Sequence, residues 1–162
     1  MSVAIRAAKS ADSALVYAFV RELAEYEHLL QEVDASEKQI AAALFAPEPR
    51  VFCDIAEWNG EPAGFALWFL NFSSFRGRNG IYLEDVFVRP AYRGKGIGKA
   101  LMKNLARRCT GKGWARFEWA VLDWNKPSID FYRSIGADVM DGWRICRMSG
   151  EALRRFAGEG AP

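Results

Sequence analysis

The segment best suited to binding a ligand is a turn of alternating glycines and basic residues, Arg93-Gly94-Lys95-Gly96-Ile97-Gly98-Lys99. It follows an apolar stretch typical of a strand and leads into one with helical spacing. Glycine has no Cβ atom, so the backbone here can approach a ligand closely or adopt a positive φ. The N–H groups at a helix start bind anions, and the helix dipole reinforces them. With its flanking cations, the turn is predicted to bind a pyrophosphate.

The glycine spacing distinguishes this turn from two familiar phosphate-binding loops. The dinucleotide pattern GxGxxG would need glycine at Lys99, or at Leu101 if the pattern starts from Gly96. The nucleoside-triphosphate pattern, GxxxxGK followed by Ser or Thr, would need glycine at Arg93 and a hydroxyl at Ala100. Both ligand classes are therefore excluded. The turn either binds another diphosphate or only connects a strand to a helix.

Two adjacent carboxylates, Glu84 and Asp85, lie just before this turn. A carboxylate beside a reacting group can accept its proton directly or through water. Neighbouring side chains of a regular strand point to opposite faces, so both can enter one pocket only if a bulge intervenes. The alternative is an acidic pair on a solvated strand face.

The elements that must position these residues follow from hydrophobic periodicity and turn signals. Strands are predicted at Val3–Ile5, Val51–Glu57, Gly64–Leu70, Ile81–Val88, Arg116–Leu122 and Trp143–Met148. Helices are predicted at Ser13–Glu27, Ser36–Leu44, Ile97–Arg108 and from Asn125 to Gly136. Asn59-Gly60 predicts a hairpin turn, and a loop is predicted from Ser73 to Gly80. This order predicts a mixed α/β fold, a central sheet covered by helices, without repeats or linkers.

Composition narrows the protein class further. A chain of 162 residues fits one domain, and 51% hydrophobic with 14% aromatic content argues against disorder. Three separated cysteines and a single histidine, His28, argue against a disulfide framework, a metal site and triad chemistry, so no metal is predicted. No stretch has the character of a secretory signal or a membrane span, and the protein is predicted to be cytoplasmic.

Charge is distributed unevenly along the chain. Residues 86–117 hold nine basic and no acidic residues, which leaves 13 basic and 20 acidic residues elsewhere. This pattern favours one anionic and one cationic ligand over nucleic acid, because aromatic residues are not regularly interleaved with the basic ones. The alternative is a solvated basic helix face.

The turn also resembles a known family signature. Arg93-Gly94-Lys95-Gly96-Ile97-Gly98 is similar to the Arg/Gln-x-x-Gly-x-Gly/Ala motif of GCN5-related N-acetyltransferases (GNAT), whose loop binds the pyrophosphate of coenzyme A. Residues 81–98, 118–137 and 22–27 resemble the diamine (spermidine/spermine) N-acetyltransferase branch, and the likeness covers most of residues 3–156.

The resemblance implies an architecture. It predicts a GNAT fold, with a central mixed, mostly antiparallel sheet of six to seven strands flanked by about four helices, and with the fourth and fifth strands splayed. It predicts one acetyltransferase domain over residues 1–157, a flexible C-terminal tail over residues 158–162, and a homodimer. The co-substrate is expected to be acetyl-CoA, with no nucleic-acid or membrane partner.

The resemblance also implies roles for individual residues. Glu84 is expected to accept the amine proton, with Asp85 as electrostatic support and a bulge near the acetyl group. Tyr132, two helical turns after Asn125, is expected to protonate the departing thiolate, since a phenol of pKa about 10 can donate to the anion of a thiol of pKa about 8.5. Its alternative is a core position. The remaining residues expected to contact the cofactor, besides the turn, are Val86, Phe87, Val88, Asn125, Ser128 and Tyr132.

The expected substrate is a small cation. By resemblance, the residues contacting it are Tyr26, Glu27, Glu84, Asp85, Glu118, Trp119 and Asp141. The chain after Gly136 is shorter than in the eukaryotic polyamine enzymes, and Asp141 stands where they carry a paired acidic stretch. Diamines, thialysine-like amino acids and other primary amines therefore remain open, beside two other functions: a non-catalytic acyl-CoA-binding regulatory module, or acetylation of peptide amines.

Overall fold

The computed structural model describes residues 2–159, and the chain divides into two compact units, Met1–Ala120 and Val121–Pro162. The strands are β1 Val3–Ala7, β2 Val51–Trp58, β3 Glu61–Ser73, β4 Arg78–Val88 and β5 Phe117–Trp119. The helices are α1 Ser13–Tyr26, α2 Glu37–Leu44, α3 Ile97–Gly111, α4 Lys126–Ser134 and α5 Gly150–Phe156. Short 3-10 turns lie at Ser10–Asp12, Leu30–Glu32 and Pro90–Tyr92. Of the predicted tail, residues 160–162 lie outside the described residues.

The first unit is built on one sheet with the strand order β1-β2-β3-β4-β5. The first four strands pair antiparallel with their neighbours, and β4 pairs parallel with β5. The mixed, mostly antiparallel sheet is as predicted. The expected number of six to seven strands is wrong for residues 2–159, where five strands form.

Two predicted strands account for that difference. The strand expected over Arg116–Leu122 is limited to Phe117–Trp119, and residues 143–148 form no strand. An alternating pattern such as that of Trp143 and Ile145 becomes a strand only where a neighbouring backbone pairs with it. A helix that the sequence analysis did not predict, α5, follows instead, so that five helices replace the expected four among the described residues.

Helices cover both faces of the sheet. Phe19 and Leu23 of α1 and Leu44 of α2 pack with strand residues such as Cys53 and Phe65 into one buried cluster. Neighbouring residues on β2 point to opposite faces. The residue after Cys53, Asp54, accordingly faces α3, where its carboxylate pairs with Arg108 at 3.3 Å.

Local signals specified several boundaries correctly. Asn59 and Gly60 have φ of 52° and 85°, the positive values that a tight hairpin turn between β2 and β3 requires. Ser36 and Gln39 form the predicted capping box of α2. The β3–β4 hairpin extends into the predicted loop, because only residues 74–77 are needed for its turn. In the described part of the chain no helix is both long and apolar enough to cross a membrane.

Candidate active site

A β-bulge lies at the two adjacent carboxylates of β4. Asp85 pairs with Leu67, but Leu83 pairs with Trp68, so Glu84 is an extra residue opposite this pair. The bulge that the resemblance implied is therefore present in the strand. A bulge interrupts the strict alternation of side chains and re-aims them. Glu84 is exposed and Asp85 is half-buried.

Three carboxylates interact around this bulge. Burial is the main cause that raises the pKa of Asp85 to about 7, and the negative charges of Glu84 and Glu27 raise it further. Glu27 is the residue that caps the end of α1, and burial also raises its pKa. Like charges held together in a partly desolvated position favour protonation or the arrival of a cation. The structure thus brings together the carboxylates of α1 and β4 that the sequence analysis assigned to the amine.

Beyond the bulge, no strand among residues 2–159 pairs with β4 on the side of β5, and this side is called the open edge. Pairing between these strands covers only Ile81–Leu83 and Phe117–Trp119, whereas β4 continues to Val88. The splay predicted for these strands remains a prediction, and the pairing itself is limited to these three residues of each strand. The N–H of Arg89 donates to Ala63 of β3 at 2.9 Å. Since backbone groups alternate in direction along an antiparallel pair, the N–H groups of Val86 and Val88 point to the open edge.

Phe87 differs from these two valines. The same alternation directs its N–H toward β3, and its ring belongs to the buried cluster under α1. Its predicted contact with the pantetheine arm through the backbone remains a prediction.

The glycine turn joins β4 to α3. Gly94 and Gly96 have φ of 75° and 77°, and a Cβ atom on either would meet nothing within 4 Å. Gly96 is the N-cap of α3 and supplies no side-chain acceptor, whereas Ser36 and Asn125 cap α2 and α4 with their side chains. The first N–H groups of any helix lack partners within the helix. This uncapped helix start with open space over its glycines fits the pyrophosphate of coenzyme A.

The cations of the turn have different surroundings. Lys95 places Nζ 5.4 Å from the ring centroid of Trp58. Arg93 donates from Nε to the carbonyl oxygen of Val88 at 3.0 Å, and its guanidinium lies over the ring of Tyr26. Lys99 is exposed in the first turn of α3.

Glu118 on β5 is held by its own neighbours. Its carboxylate accepts a hydrogen bond from Nδ2 of Asn71 at 2.8 Å and pairs with Nε of Arg116 at 3.3 Å. The ring of Trp119 packs against Phe117 with centroids 4.8 Å apart. A substrate role for Glu118 would compete with these contacts. The sequence carried no signal for Asn71, which lies 47 residues from its partner.

An ion pair that had no signal in the sequence supports the acidic cluster. Arg89 follows β4 directly. Its Nε and Nη2 donate hydrogen bonds of 2.8–3.2 Å to the carboxylate oxygens of Glu22 on α1. Its third nitrogen, Nη1, donates a hydrogen bond to the carbonyl oxygen of Pro62 at 3.1 Å. This pair ties α1 to the end of β4, so it fixes the elements that carry Glu27 and Asp85. Glu22 belonged to a segment with family resemblance, but its partner lies 67 residues away.

The second unit carries the other predicted residues. The Asn125 side chain accepts from the N–H of Ser128 at 3.4 Å, which caps α4. Tyr132 is buried in α4, and its ring packs against Phe131 with centroids 5.5 Å apart. Asp141 is exposed in a turn. The roles assigned to these residues remain predictions.

Residues 15–137 match the family model of the Acetyltransferase (GNAT) family. The chain belongs to the GNAT acetyltransferase family. It is a GNAT N-acetyltransferase, and this family membership implies acetyl-CoA as co-substrate.

Relatives place this GNAT protein near one branch. The chain is 42% identical to a thialysine N-epsilon-acetyltransferase of Sus scrofa, over 98% of this chain and 99% of the relative. It is 47% identical to an L-ornithine N5-acetyltransferase of Arabidopsis thaliana, over 57% of this chain and 40% of the relative. Among solved structures, it is similar to an integron cassette protein of V. cholerae, with a TM-score of 0.80 and 31% identity over 97% of this chain and 98% of the other.

Proposed function

We propose that this GNAT enzyme transfers an acetyl group directly from acetyl-CoA to the primary amine of a small cationic substrate, a diamine, a polyamine or a thialysine-like amino acid. One observation carries the proposal. The bulge in β4 sets Glu84 and Asp85 near Glu27, on the strand that leads into the glycine turn. An anion site and a cation-attracting cluster thus lie along one continuous stretch of chain.

Backbone groups of the first unit would hold the co-substrate. The N–H groups that begin α3 and the turn from Arg93 to Lys99 would bind the diphosphate. The open-edge N–H groups of Val86 and Val88 would pair with the pantetheine arm and receive the negative charge that grows on the carbonyl oxygen. Asn125 and Ser128 are proposed as further cofactor contacts on the family resemblance alone. When bound, acetyl-CoA supplies the activated acetyl thioester.

Two side chains would move the protons. An alkylammonium has a pKa of about 10.4, so an acceptor must remove its proton at neutral pH. Glu84 would take that proton, directly or through water, and Asp85 would support it electrostatically. Tyr132 would donate the phenolic proton to the sulfur that leaves.

The acidic cluster would select the substrate. Burial raises the pKa of Asp85, and the repulsion from Glu84 and Glu27 adds to it; an arriving ammonium would oppose this repulsion, lower the pKa and release a proton near pH 7. A cation–π contact of the substrate with Tyr26, worth about 0.5–2 kcal/mol, would compete with the Arg93 guanidinium over this ring. The identity of the thialysine and ornithine acetyltransferase relatives supports an amino acid with a terminal amine among the candidates.

A thiol-release assay over a panel of amines tests the proposal. Thialysine, ornithine, lysine, putrescine and spermidine should be compared with a lysine-containing peptide, using wild-type enzyme, Glu84→Gln and Tyr132→Phe. Turnover with a free diamine or amino acid, reduced by about 100-fold or more in either variant, would support it. Turnover only with the peptide would favour acetylation of protein amines. Tight coenzyme A binding without any turnover would favour the regulatory module.

We further propose that the chain works as a single catalytic domain and forms a homodimer. The second unit exposes apolar side chains, among them Trp143, Ile145 and Phe156, which are 77%, 71% and 81% exposed. Uncovered apolar groups of this size are typical of protein interaction sites. Sedimentation at micromolar concentration should give twice the monomer mass of 18.2 kDa. A Trp143→Lys, Ile145→Lys double variant should sediment as a monomer, and a wild-type monomer would contradict the proposal.

A further inference from the structure

The side chain of Arg93 connects the glycine turn to two other elements. Its Nε donates to the carbonyl of Val88 at 3.0 Å. Its guanidinium carbon lies 4.6 Å from the ring centroid of Tyr26 and 5.7 Å from that of Phe87. Both distances are within the range of cation–π contacts. The first residue of the turn therefore lies against the ends of β4 and α1.

The residues that Arg93 contacts are close in sequence to the acidic cluster. Tyr26 is the last residue of α1 and is followed directly by Glu27. Phe87 lies two residues after Asp85, so the two side chains point to the same face of β4. The guanidinium thus contacts residues that lie next to Glu27 and two positions from Asp85 in the sequence.

We propose that Arg93 is a positioning residue that couples the glycine turn to the acidic cluster, an inference that rests on the proposed function. An anion that fixes the backbone of the turn also fixes the side chain of its first residue. Tyr26 and the end of β4 are then held in the arrangement that receives the amine. By linkage, an amine bound at Glu27 restrains Tyr26 and Arg93. It therefore strengthens the binding of coenzyme A by the same factor by which coenzyme A strengthens the binding of the amine.

The alternative role for Arg93 is that of a direct phosphate ligand. Lysine could take over this alternative role but not the positioning role. Lysine preserves the positive charge that a phosphate needs. It lacks the planar guanidinium that stacks on a ring and the Nε donor that reaches Val88. An Arg93→Lys variant therefore separates coupling from charge.

Calorimetric titration with coenzyme A, with and without a saturating amine from the panel, measures the coupling. In wild-type enzyme the amine should tighten coenzyme A binding by about fivefold, at the low end of typical coupling between sites. In Arg93→Lys this ratio should fall below about twofold. The matched control is Lys99→Met, a second cation of the turn, which should weaken coenzyme A binding and keep the wild-type ratio.

Steady-state kinetics supply a second readout. Arg93→Lys should raise KM for the amine by about fivefold at saturating acetyl-CoA and change KM for acetyl-CoA by less than about twofold. Thermal unfolding of each variant checks that the exposed substitution leaves the fold intact. If Arg93→Lys does not fold, Tyr26→Leu replaces it, because this variant removes the ring that Arg93 faces and leaves the charges of the turn in place.

Two results overturn the inference. One is a wild-type ratio near one. The other is an Arg93→Lys enzyme that loses coenzyme A affinity but keeps the wild-type ratio. Either result leaves the proposed function standing if wild-type enzyme acetylates the amine. Absence of turnover and of coenzyme A binding in wild-type enzyme would instead sink the proposed function itself.

Discussion

Replacing Asp85 with asparagine should stabilise the protein, and increasingly so as the pH rises. The folded protein raises the pKa of Asp85 from 3.8 to about 7, so the folded state binds its proton more tightly than the unfolded state. Stability contributed by this proton is present at low pH and is lost as the pH rises from about 4 to about 7. The asparagine side chain of the variant carries no titratable proton and avoids the loss.

The size of the effect follows from the pKa. Between pH 5 and pH 7 the wild-type protein loses about 1.4 kcal/mol per pH unit relative to Asp85→Asn, a maximum of about 3 kcal/mol. Water reaches the half-buried carboxylate and screens its neighbours, so about 1–2 kcal/mol is expected. The stability gained by Asp85→Asn should accordingly be larger at pH 8 than at pH 5 by this amount.

Urea denaturation of both proteins at pH 5, 6.5 and 8 measures the difference. Asp34→Asn, which changes an exposed aspartate outside the cluster, is the matched control and should show no such trend. A free-energy difference between wild type and Asp85→Asn that stays constant within about 0.5 kcal/mol from pH 5 to pH 8 would refute the reasoning. The carboxylate would then be solvated and separate from Glu27 and Glu84.

Three further outcomes are expected. In Gly64→Ala the new Cβ would lie 2.4 Å from the carbonyl oxygen of Phe87, so this variant should lose about 1–3 kcal/mol of unfolding free energy in chemical denaturation and should also lose activity. Gly111→Ala is the control, because its new Cβ meets nothing within 4 Å and should leave the unfolding free energy unchanged. Asp54→Ala removes the acceptor of Arg108 and of the Trp68 indole, and it should lower the unfolding free energy by about 2–4 kcal/mol. The control, Asp130→Ala, breaks the exposed ion pair with Lys126 and should lower the unfolding free energy by at most about 0.5 kcal/mol. KM for the amine should fall between pH 6 and pH 8 as Asp85 ionises, and this trend should disappear in Asp85→Asn; an identical profile in both enzymes would count against the acidic cluster as the amine site.

Local patterns predicted most of the elements of the first unit. The step of three to four residues in α1 and α3, the capping box at Ser36 and the Asn59-Gly60 turn each act within a few residues, so the sequence displays them directly. The ends of strands were less predictable. β3 and β4 are longer than predicted because each pairs with the other, and β5 is short because its pairing with β4 covers only three residues.

The same distinction applies to the candidate site. The glycine turn was predictable from spacing, since positive φ and an uncapped helix start are properties of a short segment. The bulge at Glu84 was expected only through family resemblance, because alternation alone would have separated it from Asp85. The ion pair between Glu22 and Arg89 had no signal in the sequence, because the two residues are 67 positions apart.

By itself, the sequence determined the chemical groups. These are glycines without side chains in a turn before a helix, basic residues around these glycines, and carboxylates on the strand that precedes the turn. Only the tertiary structure decided which groups share an environment. Glu27 acts on Asp85 through space, and Arg93 reaches Tyr26 across the gap between a turn and a helix end. Such interactions depend on distance and desolvation in the folded chain, and neither quantity is encoded in the spacing of residues along it.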